Sequence, residues 1–114
     1  MQLHWKKCAH DAWCPFATVV LPDPNAEGVL VIWSAADDQV VYIAKGGIAK
    51  ALRWARQFEP FLRHPDLRVT WANVPEASQA GILTYLIEAL QPLHRDRPVA
   101  AEPIHANLPW QKTT

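Results

Sequence analysis

No stretch of this chain approaches the roughly 20 consecutive apolar residues that a helix needs to cross a bilayer, which excludes a membrane span. The opening segment Met1-Gln2-Leu3-His4-Trp5-Lys6-Lys7 has no apolar centre and does not read as a signal peptide. The expectation is a soluble, cytoplasmic protein with no membrane partner. Cysteine is scarce as well: Cys8 and Cys14 lie close together and far from everything else. A chain of 114 residues buries roughly two thirds of the surface its unfolded form exposes, so it reads as one domain that needs no staple to fold. In a reducing compartment the two cysteines are expected as free thiols packed with Trp13 and Phe16. A sharper reading adds His4 and His10, because Cys8, His10 and Cys14 are within reach of one metal ion. Their spacing matches none of the usual zinc patterns, and a disulfide stays open beside the metal. No cofactor is implied.

Net charge is also missing, with 11 Lys and Arg against 11 Asp and Glu. Nothing global announces an acidic partner or a nucleic acid. The local distribution is less even: residues 1–44 carry two Lys against five acids, residues 45–68 six Lys and Arg against two, and residues 69–114 three against four. Positive charge is therefore concentrated in the stretch around the middle of the chain. With 50% hydrophobic and 19% charged residues, the composition is that of an ordinary globular domain and argues against long disorder. There is no internal repeat or low-complexity segment.

What is present is a strand-rich start followed by helices. Gly28–Trp33 and Gln39–Ala44 are β-branched and aromatic runs separated by Ser34-Ala35-Ala36-Asp37-Asp38, which predicts a β-hairpin. After Gly46-Gly47 the apolar period lengthens: Ile48, Leu52, Ala55 and Phe58 share one helical face and Lys50, Arg53, Trp54 and Gln57 the other. This predicts a helix over Ile48–Phe58, closed by Pro60. Phe16–Leu21 is a third strand candidate, expected to complete an antiparallel sheet with the hairpin. Leu67–Ala72 reads as another extended element or a buried link. Pro75 suits the first turn of a second helix over about Glu76–Gln91, stopped by Pro92. Its stripe of Ile82, Leu83, Leu86, Ile87 and Leu90 is wide enough to be buried between two layers or to meet a partner. Gly81 costs such a helix about 1 kcal/mol against Ala, tolerable where another element approaches closely. The expectation is an α+β fold: a small, mainly antiparallel sheet with two principal helices. Residues 1–15 are read as an N-terminal extension and 98–114 as a C-terminal wrap.

In order and spacing, Gly28-Val29-Leu30, Tyr42-Ile43-Ala44 and the helix from Ile48 resemble the core of the GIY-YIG nuclease family. The similarity continues through Leu67–Ala72, Gly81-Ile82-Leu83-Thr84-Tyr85-Leu86, Pro92 and Asn107-Leu108-Pro109-Trp110. The resemblance implies a GIY-YIG-like fold and directs attention to five positions. Active members hold a divalent metal with a Glu on the second helix, while the Tyr of the first tripeptide helps activate water. The second Tyr, an Arg and often a His on the first helix complete the site, as phosphodiester cleavage requires. In this chain the first Tyr position is Leu30, the second is kept as Tyr42, the Arg position is Ala51, the His position Ala55 and the Glu position Leu83.

Four of these five reactive groups are therefore replaced by apolar residues. Leu83 cannot hold a metal, and Leu30 cannot polarise water. Glu76, Glu88 and Arg53 are the nearest substitutes. Each reads as a solvated surface charge, and Tyr42 as a packed strand aromatic. The sequence thus suggests a catalytically inactive nuclease-like module that binds nucleic acid through Lys45, Lys50, Arg53, Trp54 and Arg56. The alternatives are a protein-interaction subunit, meeting a protein partner or a second copy through exposed tryptophans and the wide apolar helix, and a nuclease with a rebuilt metal site.

Overall fold

Val29, Leu30, Val31 and Ile32 are four consecutive apolar residues, so a strand through them presents apolar side chains to both sides and requires cover on both. The computed structural model, which describes residues 1–95 and 100–110, provides that arrangement. The elements run β1 (Cys14–Pro15), β2 (Glu27–Ser34), β3 (Gln39–Gly47), α1 (Ile48–Ala55), α2 (Glu59–Leu62), β4 (Leu67–Asn73) and α3 (Glu76–Leu90). The strands form one antiparallel sheet in the order β1-β4-β2-β3. The fold is α+β.

Residues Val29 to Ile32 of β2 are completely buried. Leu30 and Ile32 face a cluster containing Ile48, Leu52, Ala55 and Phe61, while Val29 and Val31 face one containing Ile82, Leu83 and Leu86. α1 and α2 therefore cover one face of the sheet and α3 the other. Each fully buried aliphatic side chain contributes about 1.5–3 kcal/mol. A register irregularity pairs Ile32 with Tyr42 but Trp33 with Val40. The extra residue, Val41, joins Tyr42 in the α1-side cluster and breaks the strict alternation along β3.

The hairpin forms as expected, and β4 realises the extended reading of Leu67–Ala72. Phe16–Leu21 is not a strand. Phe16 and Val19 are buried, but the segment turns, with the Val19 amide donating to the Pro15 carbonyl at 3.1 Å. Its carbonyls are taken by Arg56, as described below, and the place beside β2 is filled by β4. α1 is also shorter than expected. It ends at Ala55, and Pro60 sits in the first turn of α2 rather than closing α1; a proline needs no backbone donor there. α3 runs from Glu76 to Leu90, preceded by Pro75 and followed by Gln91 in a left-handed conformation.

The wide stripe of α3 is explained by layers on two sides. Ile82, Leu83 and Leu86 pack in the sheet-side cluster, to which Ile104 and Ala106 also belong or attach, and the Ile104 amide donates to the Gly81 carbonyl at 3.0 Å. A Cβ on Gly81 would lie 2.7 Å from the Glu102 carbonyl oxygen and 2.5 Å from Ile104. The N-terminal segment is likewise fastened to the sheet. Leu3 is buried, the Lys6 amide donates to the Trp71 carbonyl at 2.9 Å, and Thr70 Oγ1 donates to the Lys6 carbonyl at 2.7 Å. The Asn107 side chain accepts from the Leu3 amide and donates to the Leu3 carbonyl, at 2.6 and 3.0 Å. Of the segment read as a wrap, Pro98, Val99 and residues 111–114 lie outside the described residues.

Gly81→Ala should lower unfolding free energy by about 1–3 kcal/mol in urea titration, because overpacking against backbone outweighs the gain in helix propensity. Gly28→Ala should be more damaging, since its Cβ would fall 1.9 Å from the Ala72 carbonyl oxygen across the strand pair. Equal or greater stability of the Gly81 variant would contradict the packing described.

Candidate functional site

β3 is one of the sheet's two edge strands, and residues from both helical layers reach the space beyond it. There a groove of about 480 Å³ is lined by Tyr42, Ala44, Lys45, Gly46 and Gly47 of β3, by Lys50, Ala51 and Trp54 of α1, and by Leu83 of α3. Gly46 has a φ of 108°, a conformation natural to glycine. It lies where β3 turns into α1 and brings Lys45 and Lys50 to one rim. Both lysines are exposed. α1 begins just after Gly46 and Gly47 with no side chain capping it, and the Ile48 amide donates to the Ala26 carbonyl at 3.0 Å.

Trp54 is 48% exposed. It stacks on Phe58 with ring centroids 5.0 Å apart and an interplanar angle of 18°. Tyr42 is nearly buried and packs on Trp54 and Phe61 at 5.6 and 5.0 Å. It is a packed strand aromatic that also forms part of the groove wall. The aromatic cluster continues from Phe61 to His94 at 5.0 Å, and the backbone amides of Leu93 and His94 donate to the Val40 and Val41 carbonyls. That segment covers the part of the β3 edge remote from the groove.

Three of the five positions singled out in the sequence, Tyr42, Ala51 and Leu83, thus line one groove although they come from three different elements. The other two do not reach it. Leu30 and Ala55 are completely buried in the α1-side core. Glu76 and Glu88 are exposed and absent from the groove wall, which among the described residues contains no carboxylate and no histidine. The wall offers two ammonium groups, two aromatic rings and apolar surface. It can hold an anion beside a flat ring.

The basic stripe divides. Lys45, Lys50 and Trp54 belong to the groove, whereas Arg53 and Arg56 line a separate depression of about 370 Å³ on the other flank of α1, with Val19, Leu21 and Gln57 among its walls. Arg53 is exposed. Arg56 is committed to structure: its Nε donates to the Phe16 carbonyl at 3.0 Å and its Nη2 to the Val19 carbonyl at 2.5 Å. The sequence reading places Arg56 in a phosphate-binding face and does not anticipate this engagement. Its spacing on the helix gave no sign of the loop that captures it.

Cys8 and Cys14 form a disulfide, with their Cα atoms 5.0 Å apart. This corrects the expectation of free thiols. A tight turn at Ala9–Asp11, with His10 and Asp11 in left-handed conformations, folds the intervening residues back. The bond also removes both sulfurs from the metal reading of Cys8, His10 and Cys14. Among the described residues no group of three or more His, Cys, Asp or Glu side chains is arranged to hold a metal ion, and no helix is long and apolar enough to cross a membrane.

One feature was not anticipated from sequence. Trp13, Trp33 and Trp110, far apart in the chain, meet at the opposite end of the hairpin around a recess of about 490 Å³. Only their aromatic character hinted at it, since the topology that joins them depends on β1 pairing with β4.

Comparison with family models, curated proteins and solved structures gave no match in any of the three. Function is therefore read from the geometry of the chain itself.

Arg56→Ala should reduce unfolding free energy by about 1–3 kcal/mol by leaving two carbonyls without their charged donor. Arg53→Ala, which removes an exposed side chain, should change stability by less than about 0.5 kcal/mol. Parallel denaturation curves test the division: equal effects would contradict the structural role of Arg56.

Proposed function

We propose that this chain is a catalytically inactive, GIY-YIG-like module that binds single-stranded nucleic acid in the groove beside β3. The observation that carries the reading is the convergence of Tyr42, Ala51 and Leu83. These positions were selected from sequence as counterparts of a nuclease site, and they surround one groove together with Lys45, Lys50 and Trp54. Lys45 and Lys50 supply phosphate contacts that release counterions without reading sequence. Trp54, supported from behind by Phe58, supplies a ring on which a base can stack, a contact worth about 1–3 kcal/mol per base.

Support for the non-catalytic half of the reading comes from the wall's chemistry. Metal-assisted hydrolysis of a phosphodiester needs a carboxylate to hold the metal and a base for water, whereas the groove's described lining pairs two lysines and two aromatic rings with Ala44, Ala51 and Leu83 and has no carboxylate. A rebuilt nuclease would need a carboxylate there, and Glu76 and Glu88 stand elsewhere. For the protein-interaction alternative, Ile82, Leu83 and Leu86 of the stripe are buried within the chain, while Ile87 and Leu90 are partly exposed.

The test is oligonucleotide binding over a range of salt. Oligothymidylate and oligouridylate should bind, and the joint replacement Lys45→Ala and Lys50→Ala should flatten the slope of log K against log salt by about 1.4, from about 0.7 per phosphate contact on single strands. Trp54→Ala should weaken binding roughly five- to one-hundredfold with the slope preserved, as loss of one stacking contact predicts. An unchanged slope in the double lysine variant would remove this groove from consideration.

The same protein should leave supercoiled plasmid and single-stranded RNA intact in Mg²⁺ or Mn²⁺. Leu83→Glu should not restore cutting and should lower stability by several kcal/mol, because an unpaired carboxylate enters an apolar cluster. Metal-dependent nicking by the wild type that disappears in Tyr42→Phe would contradict the non-catalytic reading.

A further inference from the structure

The recess at the far end of the hairpin has a chemistry unlike that of the groove. Trp33 is 8% exposed and serves as its floor. Trp13 and Trp110 each pack against it at a centroid distance of 5.3 Å, with interplanar angles of 86° and 64°. The three indoles therefore meet as corner walls rather than as a parallel stack. The remaining wall includes Leu90, Gln91 and Asp38; among the described residues no Lys or Arg lines the space, and the Arg95 guanidinium donates to the Gln91 side-chain oxygen at 2.5 Å. Asp38 is exposed and held in a left-handed turn conformation, and among the described residues it forms no ion pair.

The electrostatics of such a recess favour one class of occupant. Indole faces carry negative potential, and Asp38 adds a carboxylate, so an anion is repelled. A bare ammonium ion carries a tightly held hydration shell that Leu90 and indole walls cannot replace. A methylated ammonium spreads the same charge over apolar methyl groups, sheds water easily and is attracted to aromatic faces. One of these indoles already meets a cation: the Lys7 ammonium lies 4.5 Å from the Trp13 ring centroid, although Lys7 is not among the residues lining the recess.

We propose that the recess formed by Trp13, Trp33 and Trp110 binds a quaternary ammonium group, with Asp38 as its counter-charge. The group can come from a small molecule such as choline or from a trimethylated lysine side chain. The recess does not depend on the nucleic-acid reading, since it shares no residue with the groove.

Tetramethylammonium is the probe, titrated at constant ionic strength against the indole N–H resonances, with its near-isosteric neutral counterpart tert-butyl alcohol and ammonium chloride as controls. Saturable shifts of Trp13, Trp33 and Trp110, with Trp54 unmoved, are expected for tetramethylammonium alone. Trp110→Leu, at the surface and compatible with the fold, should weaken binding roughly tenfold or more, and Asp38→Asn severalfold, as loss of one desolvated aromatic wall or one nearby charge implies. Choline and a peptide bearing trimethyl-lysine then separate the sources: tighter binding of the peptide assigns the site to a protein tail, and tighter binding of choline to a small molecule. Shifts that do not saturate, equal binding of the neutral isostere, or affinity unchanged in both variants would overturn the proposal.

Discussion

The structure depends on the burial of β2 on both faces. Val29 to Ile32 leave no polar side for water, so the sheet must be covered twice, by α1 and α2 on one side and by α3 on the other. Close packing at Gly28 lets β4 approach from one flank, and β3 completes the other. β3 is then an edge of the sheet, residues from both layers reach the space beyond it, and the groove lies there. A strand buried on one face only would have needed one layer, and Leu83 and Ala51 would not line one groove.

The hairpin therefore carries two surfaces of different character at its two ends. Near Gly46-Gly47 lie two lysines, the start of α1 and the half-exposed Trp54. Near Trp33 and Val40 lie three indoles and a carboxylate. These are separated along the length of β3 and share no side chain, so occupancy of one need not displace anything at the other. The Cys8–Cys14 bond lies close in sequence to Trp13.

Much of the fold was legible because local pattern and tertiary environment agree. The alternating and continuous apolar runs of β2 and β3, the change of period at Gly46-Gly47 and the proline before α3 are local signals. The failures came where a distant partner decided. Phe16–Leu21 has strand-forming residues, but Arg56 holds two of its carbonyls in a turn. Pro60 can end one helix or begin another, and only the path of the chain toward Phe61 distinguishes them. Of the candidate site, Lys45, Lys50 and Trp54 follow from sequence and remain together. Arg56 does not, because a side chain's hydrogen-bond partner in a loop forty residues earlier leaves no mark on helical spacing. The tryptophan recess required the full strand order.

The most direct test of the account is amide and indole chemical-shift mapping while a short oligothymidylate is added at low salt. If the groove is the nucleic-acid surface, the largest changes should fall on Tyr42 to Lys50 and on the Trp54 indole, with the Trp13, Trp33 and Trp110 indoles unmoved. Changes centred on the Arg53 and Arg56 flank, or no saturable change anywhere, would contradict it.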